Sequence, residues 1–207
     1  MAGGTKSNSA LWEVLAKYKM PLWMTETSGV RGDLATSLKG VAMEIHNSMV
    51  YGQVSGWIYW QYVNNRDRNN PNDLITATVR GNGPQATVTD IFPAKKYYLH
   101  KQFSRFIQPG AVRIAATPAD SQSLAASAFE HAEDKTMTIE LINAGVASRQ
   151  AEFTLRTNLK VTGFDVYRTS ASEDCAALEP VEAKADKLTI DVPAQSMVTL
   201  YGKEMAR

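Results

Sequence analysis

Near residue 110 the chain changes its hydrophobic period, and this constrains its architecture more than any other feature. Before that point helical spacings alternate with short apolar runs. Leu11, Val14, Leu15 and Tyr18 fall at i, i+3, i+4 and i+7, marking an amphipathic helix that Pro21 stops. The apolar run "LWMTE" follows. Leu34, Leu38, Val41, Ala42, Ile45 and Met49 then share one helical face, with Asp33 as N-cap and Gly52 as terminator. A second apolar run, "VSGWIYWQYV", occupies 54–63, and a polar stretch from 64 to 90 holds one short β-like piece, "LITATV". Leu99, Phe103 and Phe106 mark a third helix ending at Pro109-Gly110. Strands apolar on both faces and separated by helices indicate a parallel sheet of β/α units.

After Gly110 the segments are short, alternating or β-branched, and divided by turn residues such as Asn143-Ala144-Gly145. "AVRIAAT", "SLAASAFEH", "TMTIELINA", "RQAEFTLRT", "KVTGFDVYRT", "KLTIDVPA" and "SMVTLYG" predict an antiparallel sandwich of about seven strands. The expected organisation is an α/β part over 1–110 and an all-β part over 111–207, joined directly at Pro109-Gly110 and packed on each other.

Composition narrows the function classes. The chain has 207 residues, 44% hydrophobic and 21% charged, as in an ordinary globular protein. Lys plus Arg number 22 against 21 for Asp plus Glu, so no cationic excess argues for nucleic acid or an anionic membrane. Cys175 is the single cysteine, which excludes an intrachain disulfide. His46, His100 and His131 are scattered without ligand spacing, so neither a metal nor another cofactor is expected. The start, "MAGGTKSNSA", shows neither the basic nor the apolar region of a secretory signal, and no apolar run approaches a membrane span.

One carboxylate stands out. "PLWMTETSG" delivers Glu26 to the tip of an apolar strand, although Glu seldom goes inside without a partner or a task. The bland reading is a Glu that opens a surface loop. By alternation Met24 and Glu26 share one face with Trp23 and Thr25 opposite, while Ile58 and Trp60 share a face with Trp57 and Tyr59 opposite. In a β/α barrel Trp23 and Trp57 would then pack towards helices, and Glu26 and Trp60 would face inward at the C-terminal rim, where barrel enzymes place their chemistry. A carboxylate beside a large aromatic suits a sugar, because the ring stacks on a pyranose while the carboxylate meets its anomeric carbon.

At these residues the chain resembles glycoside hydrolase family 30, a family of retaining glycosidases with a (β/α)8 barrel. The resemblance is carried by "LWMTETSG", "SGWIYWQYV", "KKYYLHKQFSRFIQPGAVRI", "VYRTSASEDCAAL" and "VPAQSMVTLYG". It implies a nucleophilic Glu at the end of the seventh barrel strand, at Glu26, and an aromatic floor after the eighth, at Trp60. It also implies a candidate cis peptide at Trp60-Gln61, a bracing β-sandwich side domain, and secretion or periplasmic export of the full-length enzyme. Gln61 and Tyr62 follow the floor and are placed to hydrogen-bond sugar hydroxyls, or to shape a loop. Arg66, Arg68 and Arg80 lie in the segment bordering the cleft; an arginine fork such as that of Arg66 fits a uronate carboxylate, although three arginines in a polar loop are more often simply solvated.

A whole barrel has eight strands and about 250 residues, whereas the α/β part here supplies two units. Retaining hydrolysis needs a second carboxyl group about 5 to 5.5 Å from the first. The family's acid/base Glu belongs on the fourth strand, and neither Glu13 nor Glu44 is placed to replace it. The expectation is therefore the C-terminal portion of a glycosidase, inactive alone, whose partner is the N-terminal half of the same barrel. The substrate would be a β-linked polysaccharide (xylan or a β-1,6-glucan or galactan) or a glucosylceramide-type glycoside. Two other classes fit the same residues: a polysaccharide-binding protein that keeps Trp60 as a platform, and a structural subunit that completes a barrel.

Overall fold

The computed structural model describes residues 14–15, 17–65, 70–116 and 124–204. The chain divides into two compact units, one up to Tyr98 and one from Leu99 onward.

The first unit opens with a described helical remnant at Val14 and Leu15, in which Val14 and Tyr18 are exposed rather than packed as a stripe. Leu11 lies outside the described residues. Strand β1 (Trp23–Thr27) follows, then helix α1, which runs as Leu34–Ser37, a π turn at Leu38–Ala42, and Met43–Val50. Asp33 caps it as expected: its carboxylate accepts the Thr36 N–H at 2.9 Å, and that bond holds its pKa below the ordinary value. Leu38, Val41, Ala42 and Ile45 form the buried stripe. Strand β2 (Gly56–Tyr59) then pairs with β1 in parallel.

A separate sheet carries β3 (Val63–Asn64), β4 (Ile75–Arg80) and β5 (Thr87–Pro93), in the order β3-β4-β5. The sequence reading found only the first strand of the β4/β5 hairpin. In β5 every position except Phe92 is exposed, so no alternation announced it. Helix α2 (Lys95–Phe106) follows, its Leu99, Phe103 and Phe106 buried as their spacing requires.

Among its described residues the second unit has eight strands where the sequence predicts about seven. These are β6 (Val112–Ile114), β7 (Ala125–His131), β8 (Thr136–Asn143), β9 (Arg149–Thr154), β10 (Gly163–Thr169), β11 (Ala176–Glu182), β12 (Lys187–Val192) and β13 (Ser196–Lys203). The strand missed from sequence is β11, which contains Pro180. It lies at the edge of the six-stranded sheet β11-β10-β13-β8-β7-β6, the place where proline's missing N–H is tolerated. The second sheet is β12-β9. Met137, Ile139, Leu141, Phe164, Leu188 and Leu200 belong to the core between them.

The outer face of the large sheet is covered by the part of α2 that lies in this unit. Phe106 packs its ring 4.5 Å from Tyr167 and 5.4 Å from Tyr201, and its carbonyl accepts from Thr138 Oγ1 at 2.7 Å. Gln102 Nε2 donates to Thr199 Oγ1 at 2.8 Å, and Thr199 donates onward to Glu140 Oε2 at 2.6 Å. Gly110 closes the turn after α2 at φ +98°, and a side chain there would meet the His131 ring at 2.9 Å. No helix among the described residues is long and apolar enough to cross a membrane.

Candidate active site

The candidate site is built at the C-terminal ends of β1 and β2. The ladder pairs Trp23 with Gly56, Met24 with Trp57, and Thr27 with Tyr59. The two residues between Met24 and Thr27 therefore stand against the one between Trp57 and Tyr59, a bulge at Thr25-Glu26.

The bulge corrects the parity argument. Trp23 does not pack towards the helices: it is 63% exposed and lies over Gly56, where an added Cβ would meet its ring at 3.1 Å. Trp57 is half-buried beside Tyr59, their rings 6.1 Å apart. Beyond the bulge Thr27 and Tyr59 are the buried pair. Glu26, one residue before Thr27, and Trp60, one residue after Tyr59, are exposed, as is Ile58. Thr27 and not Glu26 takes the buried step because the extra residue resets the alternation.

Backbone bonds fix the two strand ends together. The Trp60 N–H donates to the Thr27 carbonyl at 2.7 Å, and the Trp60-Gln61 peptide is cis. Gln61 is held on three sides: its N–H donates to Asn72, its carbonyl accepts from Leu74 at 3.0 Å, and its side-chain nitrogen meets Asp73 Oδ1 at 3.3 Å. Tyr62 is exposed and meets Tyr97 edge to face, 6.1 Å between ring centroids; partial burial and this neighbour raise its pKa. Arg80 ends β4 on the exposed side. Arg66 and Arg68 lie outside the described residues.

Three contributors escaped the sequence reading. Glu44, on α1 but off its apolar stripe, is half-buried, and its Oε1 accepts the Thr27 hydroxyl at 2.9 Å; burial raises its pKa, against the pull of that bond. Lys96 is fully buried beneath the site, with its Nζ 5.6 Å from the Tyr59 ring centre. Asp73 is buried beside Gln61. A signal existed for one of them: Lys96 stands three residues before Leu99 and seven before Phe103, on the apolar stripe of α2.

The histidines are elsewhere. His46 is buried in α1, burial pushes His100 down to about 4, and His131 Nδ1 accepts the Asp134 N–H at 3.1 Å. Among the described residues no group of three or more His, Cys, Asp or Glu is placed to hold a metal ion.

Comparison with known proteins bears on this geometry. No family model matches the chain. Two curated proteins, each a glucuronoxylanase XynC of Bacillus subtilis, align with most of it: one is 26% identical over 183 residues, 86% of this chain and 38% of its own length. The other is 28% identical over 189 residues, 88% of this chain and 39% of its own. The crystal structure of a family 30 endoxylanase from Clostridium papyrosolvens superposes with a TM-score of 0.77 at 26% identity, covering 98% of this chain and 47% of that one. The chain thus resembles the C-terminal portion of family 30 xylanases. Xyn30A, a family 30 subfamily 8 xylanase from Clostridium acetobutylicum, agrees with a TM-score of 0.73 at 25% identity, over 92% of this chain and 44% of its own. The chain thus spans less than half the length of each of these family 30 relatives.

Proposed function

We propose that this chain supplies the nucleophile side of a retaining glycosidase site that acts on xylan-type polysaccharide. Its two β/α units would be the last two of a (β/α)8 barrel, and the sandwich its side domain. The observation that carries this reading is an exposed carboxylate and an exposed indole at the ends of neighbouring parallel strands, tied by the Trp60-to-Thr27 bond, in a chain aligned with xylanases.

Each group has a role. Glu26, ionised, attacks the anomeric carbon and forms a glycosyl ester while an acid from the fourth barrel strand protonates the leaving oxygen. Water then enters with that acid acting as base. Trp60 stacks on the sugar ring and holds it in register with Glu26. Tyr62 offers a hydroxyl at the mouth and Gln61 shapes the floor through Asp73; Arg66 keeps the part its side chain suits in the sequence, a guanidinium fork for an acidic substituent of the substrate. The substrate is polymeric, and the full-length enzyme is secreted to reach it.

The test is to join this chain to the first six β/α units of a family 30 relative and follow hydrolysis of xylan and of an aryl xylobioside. The reading predicts no turnover by the chain alone and measurable turnover by the joined protein. Glu26→Gln should lower kcat by orders of magnitude, and Trp60→Ala should act mainly on KM. Full activity in the joined Glu26→Gln protein, or sugar binding with no hydrolysis in the joined parent, would contradict it.

A further inference from the structure

Lys96 is fully buried in α2, an unusual place for an ammonium group, and it faces backbone from two separate loops. Its Nζ donates to the Val30 carbonyl at 2.9 Å, the Asn70 carbonyl at 3.2 Å and the Pro71 carbonyl at 2.9 Å. Val30 closes the segment that leaves β1 four residues after Glu26. Asn70 and Pro71 lead into the turn whose Asn72 carbonyl receives the Gln61 N–H. The Pro71 carbonyl also accepts the Tyr59 hydroxyl at 2.8 Å. Backbone bonds repeat the pattern, since Lys95 N donates to Gly32 O at 3.3 Å and Ala94 N to Leu74 O at 3.0 Å.

We propose that Lys96 is a positioning residue of the candidate site, fixing Glu26 against Trp60 by clamping the loop after β1 and the loop after β2 to one ammonium group. The proposal rests on the reading of Glu26 and Trp60 as that site. A hydrocarbon would leave the Val30 and Asn70 carbonyls without this donor, and a guanidinium is a planar fork rather than a compact tripod. The three N–H groups of an ammonium match the three carbonyls one for one.

That match gives the clamp a protonation dependence. Burial pushes Lys96 down to about 8, partly offset by the Asp73 carboxylate. Below that pH three donors serve three acceptors; above it the amine has two, so one of the three carbonyls loses its donor and the clamp loosens. Tyr59, pushed up to about 12 by burial with Glu44 and Asp73 adding to the effect, keeps its proton throughout this range. Arg31 and Asp33 follow Val30, and Lys95 and Tyr97 flank Lys96 in α2.

The experiment is amide NMR of the full chain between pH 6 and 10, for the parent, Lys96→Met and Lys96→Arg. The Arg31 and Asn72 amides, whose peptide carbonyls are those of Val30 and Pro71, should shift with a midpoint near 8. The Thr27, Trp60 and Gln61 amides should follow with the same midpoint, and Lys96→Met should abolish both transitions while leaving the sandwich amides in place. Lys96→Arg should not restore the parent shifts. Titration of Arg31 and Asn72 without Thr27 and Trp60 would reduce Lys96 to a local structural tie and overturn the proposal, as would transitions that persist in Lys96→Met. Glu26→Gln should leave these transitions intact, so loss of the glycosidase reading and loss of the clamp are separately visible.

Discussion

Strand β8 carries polar residues at four of its eight positions and β2 carries none of Thr, Asn or Glu, yet all eight positions of β8 are buried while β2 and the residue after it leave Ile58 46% and Trp60 52% exposed. The difference lies in what covers each face. In the second unit β8 meets the sandwich core on one side and α2 on the other, so Thr138 and Glu140 are as buried as Ile139 and Leu141. In the first unit β1 and β2 bury Thr27 and Tyr59 on one face, and their other face presents Trp23, Ile58 and Trp60. The lesson is a division of labour: the sandwich completes its own core, whereas the parallel pair keeps an aromatic and a carboxylate where a ligand or further strands can meet them.

This contrast can be broken by mutation, beginning with the sandwich. Phe164→Ala removes a fully buried ring from the core and should cost about 3 to 5 kcal/mol in urea denaturation of the second unit. A cost under about 1 kcal/mol would mean that the sandwich core is not close-packed. Glu140 provides the next test. Its carboxyl is buried, accepts from Thr199, and leaves Oε1 without a hydrogen-bond partner; burial raises its pKa well above the ordinary 4.5. The folded state therefore holds the proton more tightly than the unfolded chain. Stability should be greatest below about 4.5 and fall as pH rises through the raised value, by at most about 1.4 kcal/mol per pH unit. Glu140→Gln keeps an acceptor for Thr199 and should flatten that slope in thermal melts; an unchanged slope would assign it to another group.

How much of this was legible follows the same division. Alternation revealed most of the sandwich strands because their neighbours bury one face regularly, and it lost β11 at Pro180. The α1 stripe and its Asp33 cap were legible because both are local. The site was legible in part. Glu26 and Trp60 are exposed at neighbouring strand ends, and Trp23, expected on the helix-packed side, is exposed as well, because a bulge has no local mark in "WMTET". Lys96, Glu44 and Asp73 depend on contacts 17 to 66 residues away or on burial that a polar loop does not announce.

Smaller effects sharpen the comparison in the first unit. Asp33→Ala removes the α1 cap and should cost about 1 kcal/mol, read as reduced helix stability in chemical denaturation. Ile58→Ala, on the exposed face, should change stability by no more than about 0.5 kcal/mol in the same assay. A loss as large as that of Phe164→Ala would show that this face is covered.

The central claim is that Glu26 carries the covalent chemistry, and the most direct measurement is to trap it. The chain joined to six family 30 β/α units is treated with an activated 2-deoxy-2-fluoro xylobioside, and tryptic peptides are weighed. A fluoroxylobiosyl ester on the peptide from Met20 to Arg31, absent in Glu26→Gln, is the predicted result. A label on any other carboxylate, or undiminished turnover by Glu26→Gln, would contradict it.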